Sequence, residues 1–406
     1  MRLKTVYALL ALPPILLGGP KVASPIPCEI QEQFSLDTTH YKKVVIVEGF
    51  PVVASAKVSD FALLEAAYLL DKMLGHQPKV LRELGRNKVR FSIMAPDEFT
   101  TDVPEHSHLQ PSSYWDRRAR GLGADPQSES PCVSAGEENL LGLNGDPYHT
   151  ESIFVHEFAH AVHIMAMNFL DDTFDRRLKL QFQKATDAGL WKGTYAGTNH
   201  HEYFAEGVQS WFDTNRENDH DHGSIDTREE LLSYDPDLCK LIQEAYGTLD
   251  WSYVKPAVRV PASFHLTGFD LEKSPSFKWP KALIQWQKDF EQGKVSLAPE
   301  DAIEGIPMNP GSSDAEKSYS SHKRVSIYFH NLSGRSLSIE WIDFEGKPRQ
   351  RSILRHRDHR EPFSFVGHLW RIADAETNRP VAFYRVLNKP TRVDIHKEFV
   401  ETQLSR

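Results

Sequence analysis

Cysteine is scarce in this chain of 406 residues: Cys28, Cys132 and Cys239 stand far apart and no Cys-x-x-Cys spacing occurs. That excludes zinc ribbons and thioredoxin-type redox sites, which need paired thiols, and leaves at most one disulfide whose pairing the spacing does not determine. Positive charge is in deficit, with 47 basic against 56 acidic side chains and a formal charge of −9. A surface of that sign repels phosphate backbones, so nucleic acid is not an expected partner. Internal repeats are missing, and beyond the N-terminus no apolar run is long enough to cross a bilayer, which excludes solenoids and membrane bundles. What is present is a 40% hydrophobic composition, enough for one large or two ordinary domains.

The first residues place Arg2 and Lys4 before the apolar stretch Val6–Leu17 and then small residues and prolines over Gly18–Ser24. This is the pattern of a secretory signal over residues 1–24 and predicts a secreted, extracellular protein without stable membrane insertion. A single-pass anchor is the competing reading, but Pro13 and Pro14 interrupt the run. In a secreted chain Asn331-Leu332-Ser333 reads as a glycosylation acceptor.

The chemistry enters at Ile153–Met167, IFVHEFAHAVHIMAM, where His-Glu-x-x-His lies in an apolar stretch free of Gly and Pro. Two imidazoles four residues apart on a helix lie about 40° apart around its axis and one turn along it. His156 and His160 therefore suit one Zn²⁺, and Glu157 between them suits the proton acceptor for a water whose pKa the metal lowers to roughly 7. A catalytic zinc needs a third protein ligand and an open fourth position. The metzincin continuation would require Gly at position 163 and His at 166, where this chain has His163 and Ala166. His163 is read as a packing or supporting residue. Downstream, TYAGTNHHEYFAEGVQSWF (Thr194–Phe212) sets Glu202 and Glu206 four apart on one helical face. One carboxylate can bind the metal and the other can accept the N–H of a ligating imidazole. Spacing alone leaves His200 and His201 open as ligands.

Around these motifs, Val44–Ser55 and Lys88–Met94 read as strands and Phe61–Leu74 as a helix, while Thr100–Pro131 reads as a long surface loop region. Val133–Leu143 reads as an edge strand. Helices are expected from Thr150 to about Leu170, over Arg176–Ala188, from about His201 to Phe212, over Leu238–Tyr246 and within Ser276–Gly293. Asn215–His222, NRENDHDH, reads as a solvated loop rather than a metal tract. Gly305–Ser321 has the composition of a linker, and beyond it short alternating strands follow, among them RVSIYFHNLS and FSFVGHLWRIAD. The expected architecture is an α+β zincin-like catalytic domain over 28–304, a linker over 305–321 and a small all-β sandwich over 322–395.

HEFAH followed by YAGTNHHEYFAE resembles the gluzincin-like zinc peptidases, most closely the catalytic domain of the anthrax lethal factor family, over roughly sixty residues. The resemblance implies Glu202 as third ligand, Glu206 as its outer partner, and Tyr195 as the phenol that steadies the oxyanion. NLSGRSLSIEWIDFEGKPRQRSIL and FSFVGHLWRIADAET resemble the β domain of the von Hippel-Lindau family. In that family an aromatic-lined pocket recognises hydroxyproline, and Trp341, Ser364, His368 and Trp370 fall on matching pocket positions. Arg351 and Phe365 stand where the family has tyrosines. The chain has no counterpart of the helical domain through which that family engages ubiquitin-ligase partners, so none are expected.

Together these residues predict a secreted zinc peptidase acting on a protein or peptide substrate. The alternative from another class is a non-catalytic extracellular binding protein that captures Pro-rich or hydroxylated ligands through the C-terminal sandwich.

Overall fold

The computed structural model describes residues 20–248 and 250–405, so the expected signal over 1–24 lies, up to Gly19, outside the described residues. The chain is mixed α/β and forms two compact units. One comprises the residues up to His106 with Arg120–Lys278, and the other Ser107–Ala119 with Trp279 onward.

The first unit is built on a five-stranded sheet. Strands β1 (Lys43–Val47) and β2 (Phe50–Ala54) pair as an antiparallel hairpin. Its two-residue turn, Glu48-Gly49, has φ of 48° and 84°, the pair of left-handed residues that a type I′ turn requires. Strand β3 (Arg90–Met94) lies parallel to β2. The two-residue β4 (Gly121–Leu122) runs antiparallel at the far edge, leaving β5 (Cys132–Gly136) between β3 and β4. The segment expected at an edge is thus interior, and the edge comes from the stretch expected to be loop. Every residue of β2, β3 and β5 is buried, and a strand covered on both faces loses the alternation by which it would be recognised.

Helix Ile153–Ala161 starts at Ser152, whose Oγ accepts from Val155 N at 3.3 Å. Phe154 and Phe158 are fully buried, packing tilted against Phe91 at 4.6 Å and Phe50 at 5.7 Å between centroids, respectively. Burial of each ring stabilises by about 1.5–3 kcal/mol. The expected single helix to Leu170 is instead interrupted by a π-helical turn over Val162–Met167. Ile153–Leu170 is the only span among the described residues apolar enough to cross a membrane, and 72% of it is buried inside the unit.

The second unit is a sandwich of two four-stranded sheets. Its strands are β6 (Ile303–Glu304), β7 (Ile327–Leu332), β8 (Leu337–Ile342), β9 (Pro348–Leu354), β10 (His359–Arg360), β11 (Leu369–Asp374), β12 (Pro380–Arg385) and β13 (Thr391–His396). One sheet has the order β10-β7-β13-β6 and the other β12-β11-β8-β9. Ile327, Phe329, Ile339, Trp370 and Ile372 fill the space between them. The stretch 305–321 is not a free linker. β6 pairs with β13 just before it, Met308 bridges to Phe383, and the Ser318 hydroxyl accepts from Leu369 N at 2.8 Å and Trp341 Nε1 at 2.9 Å. Helix Lys281–Glu291, expected to close the first domain, packs in this unit, where Trp286 and Phe290 meet Tyr114 at 6.1 and 6.0 Å. Asn331 cannot serve as the expected glycan acceptor in the folded chain. It is fully buried, and its amide donates to Arg335 O and Leu354 O at 2.8 and 2.7 Å.

His330 lies against Phe290, centroids 4.2 Å apart and planes 11° apart, and burial pushes its pKa down from 6.5 to about 4 despite Asp394. An unfolded chain takes up a proton at this ring as pH falls below 6.5 and the folded one does not. The stability is therefore complete above pH 6.5 and is lost progressively as pH drops toward 4, on the order of 3 kcal/mol in all. His330→Phe, which keeps the ring contact without the titration, is expected to flatten the dependence of unfolding free energy on pH between 6.5 and 4. A slope unchanged from the parent would show that other groups carry it.

Candidate metal centre

Helix His200–Trp211 begins at Asn199, whose side-chain oxygen accepts from His201 N at 2.8 Å and Glu202 N at 3.0 Å. This cap satisfies donors that the first turn leaves orphaned and sets the phase of the helix. Glu202, Glu206 and Gln209, at spacings of four and three, all reach the helix carrying the first motif. Glu202 Oε2 lies 3.2 Å from both His156 Nε2 and His160 Nε2, and the two nitrogens are 3.3 Å apart. Zinc held tetrahedrally by bonds of about 2.0–2.1 Å places its ligand atoms about 3.3 Å from one another. The triangle has that edge. Glu202 Oε2 is buried with no hydrogen-bond partner, and such an oxygen is costly to bury unless something binds it. The donor set therefore fits a zinc ion, with His156, His160 and Glu202 to hold it.

The surroundings lock this geometry. His156 Nδ1 donates to Gln209 Oε1 at 2.7 Å, which leaves Nε2 with its lone pair for a metal. Gln209 is itself held, its Nε2 donating to Glu151 Oε2 at 3.1 Å and Ser152 O at 3.3 Å. Glu206 Oε1, expected to take that ring proton, is farther away at 3.4 Å. Its other oxygen receives Asn215 Nδ2 at 3.0 Å and faces His222 Nε2 at 3.3 Å. His222 and Asn215 are buried, so both ends of the tract expected to be a solvated loop turn inward to secure a carboxylate. Gln209 was legible in principle, since it continues the spacing of the two glutamates. Asn215 and His222 carry no such signal.

The electrostatics favour a cation. Burial would raise the Glu202 pKa, but the His160 and His156 rings hold it well below the usual carboxylate range. Burial would likewise lower the pKa of His156, and Glu202, Glu157 and Glu206 instead raise it well above the ordinary value. The negative field that would hold a proton on this ring also suits a dication.

Glu157 faces the edge strand. A Cβ built on Gly123 would stand 3.5 Å from Glu157 Oε2 and 3.2 Å from His160 Cβ, and one on Gly121 would clash at 2.7 Å with Ser134 O. Glycine here lets β4 and the residue after it run close beside the two motif side chains. The Tyr195 ring lies 6.2 Å from that of His156 with planes 29° apart, and its loop is tied down by Tyr195 N donating to Asp221 O at 2.6 Å. His163, His200 and His201 stand outside the triangle, as a separate group.

In the C-terminal unit, Trp341 and Trp370 are cross-strand partners with different surroundings. Trp370 is 1% exposed and donates through Nε1 to the equally buried Ser364 Oγ at 2.9 Å, so both belong to the core. Trp341 is partly exposed and lies against His368 at 5.1 Å and Phe344 at 5.5 Å, its own Nε1 taken up by Ser318. His368 Nδ1 is buried without a partner. Arg351 turns to Glu340 Oε1 at 3.5 Å and Ala375 O at 3.1 Å.

Residues 317–386 match the VHL beta domain family, and the C-terminal part of the chain carries that module. No curated protein matches the chain.

Proposed function

We propose that the first unit is a zincin-like catalytic domain of gluzincin type and that the protein is a secreted zinc peptidase hydrolysing peptide bonds in a protein or peptide substrate. The observation that carries this is the triangle of His156 Nε2, His160 Nε2 and Glu202 Oε2, with edges of 3.2–3.3 Å. A zinc ion there supplies Lewis acidity, acidifying a water and polarising the scissile carbonyl. Glu157, one residue on from a ligand, accepts the proton of the attacking water and passes it to the departing amine. The Tyr195 phenol donates toward the oxygen on which negative charge develops, a contact stronger in the transition state than in the ground state. Glu206 and Gln209 hold the His156 ring in position. The C-terminal module acts as an accessory domain. Zinc analysis with cleavage of a denatured protein mixture tests this. One chelator-sensitive activity in a zinc-bearing preparation is expected, and a chain that binds no metal and cleaves nothing would defeat the reading.

A second reading has one observation in its favour. Trp341, His368 and the half-exposed Phe344 form an aromatic surface on a module matching a family with a peptide pocket. On that reading the chain captures Pro-rich or hydroxylated ligands and does not cleave them. Retained peptide affinity with no metal would favour it.

A further inference from the structure

Beyond the triangle lies a second set of metal-binding side chains that the proposed chemistry does not use. His163 lies in the π-helical turn, and His200 and His201 open the helix that carries Glu202. One ring nitrogen from each lies within 4.8 Å of the other two. The rings crowd together, with centroids 5.1 Å apart for His163 and His201 and 3.9 Å for His200 and His201. Nδ1 of His163 and Nδ1 of His201 are both buried with no hydrogen-bond partner. Asp175 Oδ1 stands 3.2 Å from His163 Nε2 and 3.1 Å from His200 Nε2, and Lys179 takes its second oxygen at 2.7 Å.

For His163 this is the arrangement that orients a histidine toward a metal, with Nε2 donating to the Asp175 carboxylate and Nδ1 left bare. Three imidazoles select a borderline transition metal such as zinc rather than calcium or magnesium, which take oxygen. Closing the set from 4.8 Å at most to the roughly 3.3 Å that a tetrahedral ion needs requires only small ring movements. A histidine cluster packed for shape alone would leave two buried nitrogens unsatisfied, which folded proteins rarely tolerate.

We propose that His163, His200 and His201 form a second, structural zinc site supported by Asp175. Its ligands come from the π-helical turn and from the first turn of the helix bearing Glu202, while Asp175 lies on helix Phe174–Asp187. An ion there clamps these segments and steadies Glu202 from behind. The site does not depend on the first triangle being catalytic.

The test is metal stoichiometry on the full chain, stripped with chelator, reloaded at micromolar free zinc and passed through desalting. The parent is expected to hold two zinc ions and His156→Gln/His160→Gln one. His200→Gln is expected to hold one and to keep its far-ultraviolet circular dichroism. Because the His163 side chain is fully buried, His200→Gln carries the test without disturbing the core. Cobalt substitution adds a second readout, since the His156→Gln/His160→Gln chain should retain the visible bands of a tetrahedral nitrogen site. A folded His156→Gln/His160→Gln chain without metal, or a His200→Gln chain with the parental stoichiometry, overturns the proposal. Either result leaves the peptidase reading untouched, because that reading fails only if the parent itself shows no chelator-sensitive cleavage.

Discussion

Glu157→Gln is expected to keep the fold and the metal while turnover falls by a factor of about 10²–10⁴, the usual contribution of a positioned general base. Glutamine matches glutamate in size, so the close approach of the edge strand at Gly121 and Gly123 is preserved, and the two imidazoles and Glu202 are unchanged. What is lost is the ability to accept a proton from water and return it to the leaving amine. Initial rates on a denatured protein substrate, with zinc content measured on the same samples, check both halves. A Glu157→Gln chain that cleaves at the parental rate with full zinc would remove Glu157 from the chemistry.

The second large effect concerns the two carboxylates four residues apart. Glu202→Ala takes one corner from the triangle and is expected to weaken zinc binding well beyond the roughly 10–100-fold that loss of an outer partner costs. Glu206→Ala should fall within that range, since His156 keeps its shorter hydrogen bond to Gln209 at 2.7 Å. It should also lose about 1–3 kcal/mol of stability, because His222 Nε2 is left buried without its acceptor, while Asn215 Nδ2 keeps Glu206 O and Ser210 Oγ. Competition titration against a chromophoric chelator measures the first effect and denaturant unfolding the second. Equal zinc affinities for the two variants would mean that Glu202 is not the third ligand.

Much of this centre was legible because its parts are local. The four-residue spacing of His156 and His160, and of Glu202 and Glu206, survives translation into any helix, so the pattern alone predicts which side chains share a face. Legibility ended where partners come from irregular backbone. His222 lies in a tract so polar that its composition predicts solvent, yet it is buried against Glu206, because a buried carboxylate needs a partner and the tract supplies one. Gly121 and Leu122 read as loop because a two-residue edge strand has no periodicity to show.

The domain boundaries illustrate the same division. Pro, Gly and Ser over 305–321 predict a free connection, but Ser318 receives two hydrogen bonds from the sandwich, and composition cannot say whether a backbone amide finds a partner. Trp341 and Trp370 looked equivalent as pocket walls, until packing put one in the core and left the other partly exposed.

The sequence by itself determined the chemistry on offer: imidazoles and carboxylates at helical spacing, a β-rich C-terminal module and a net negative charge. Only the tertiary structure decided which atoms meet, that Gln209 rather than Glu206 makes the short bond to His156, and that three further histidines, one buried and two half-buried, come together. The physical reason is range. Helical periodicity is set by neighbours within a turn, whereas ligation and burial depend on residues tens of positions apart, brought together by the packing of the whole unit.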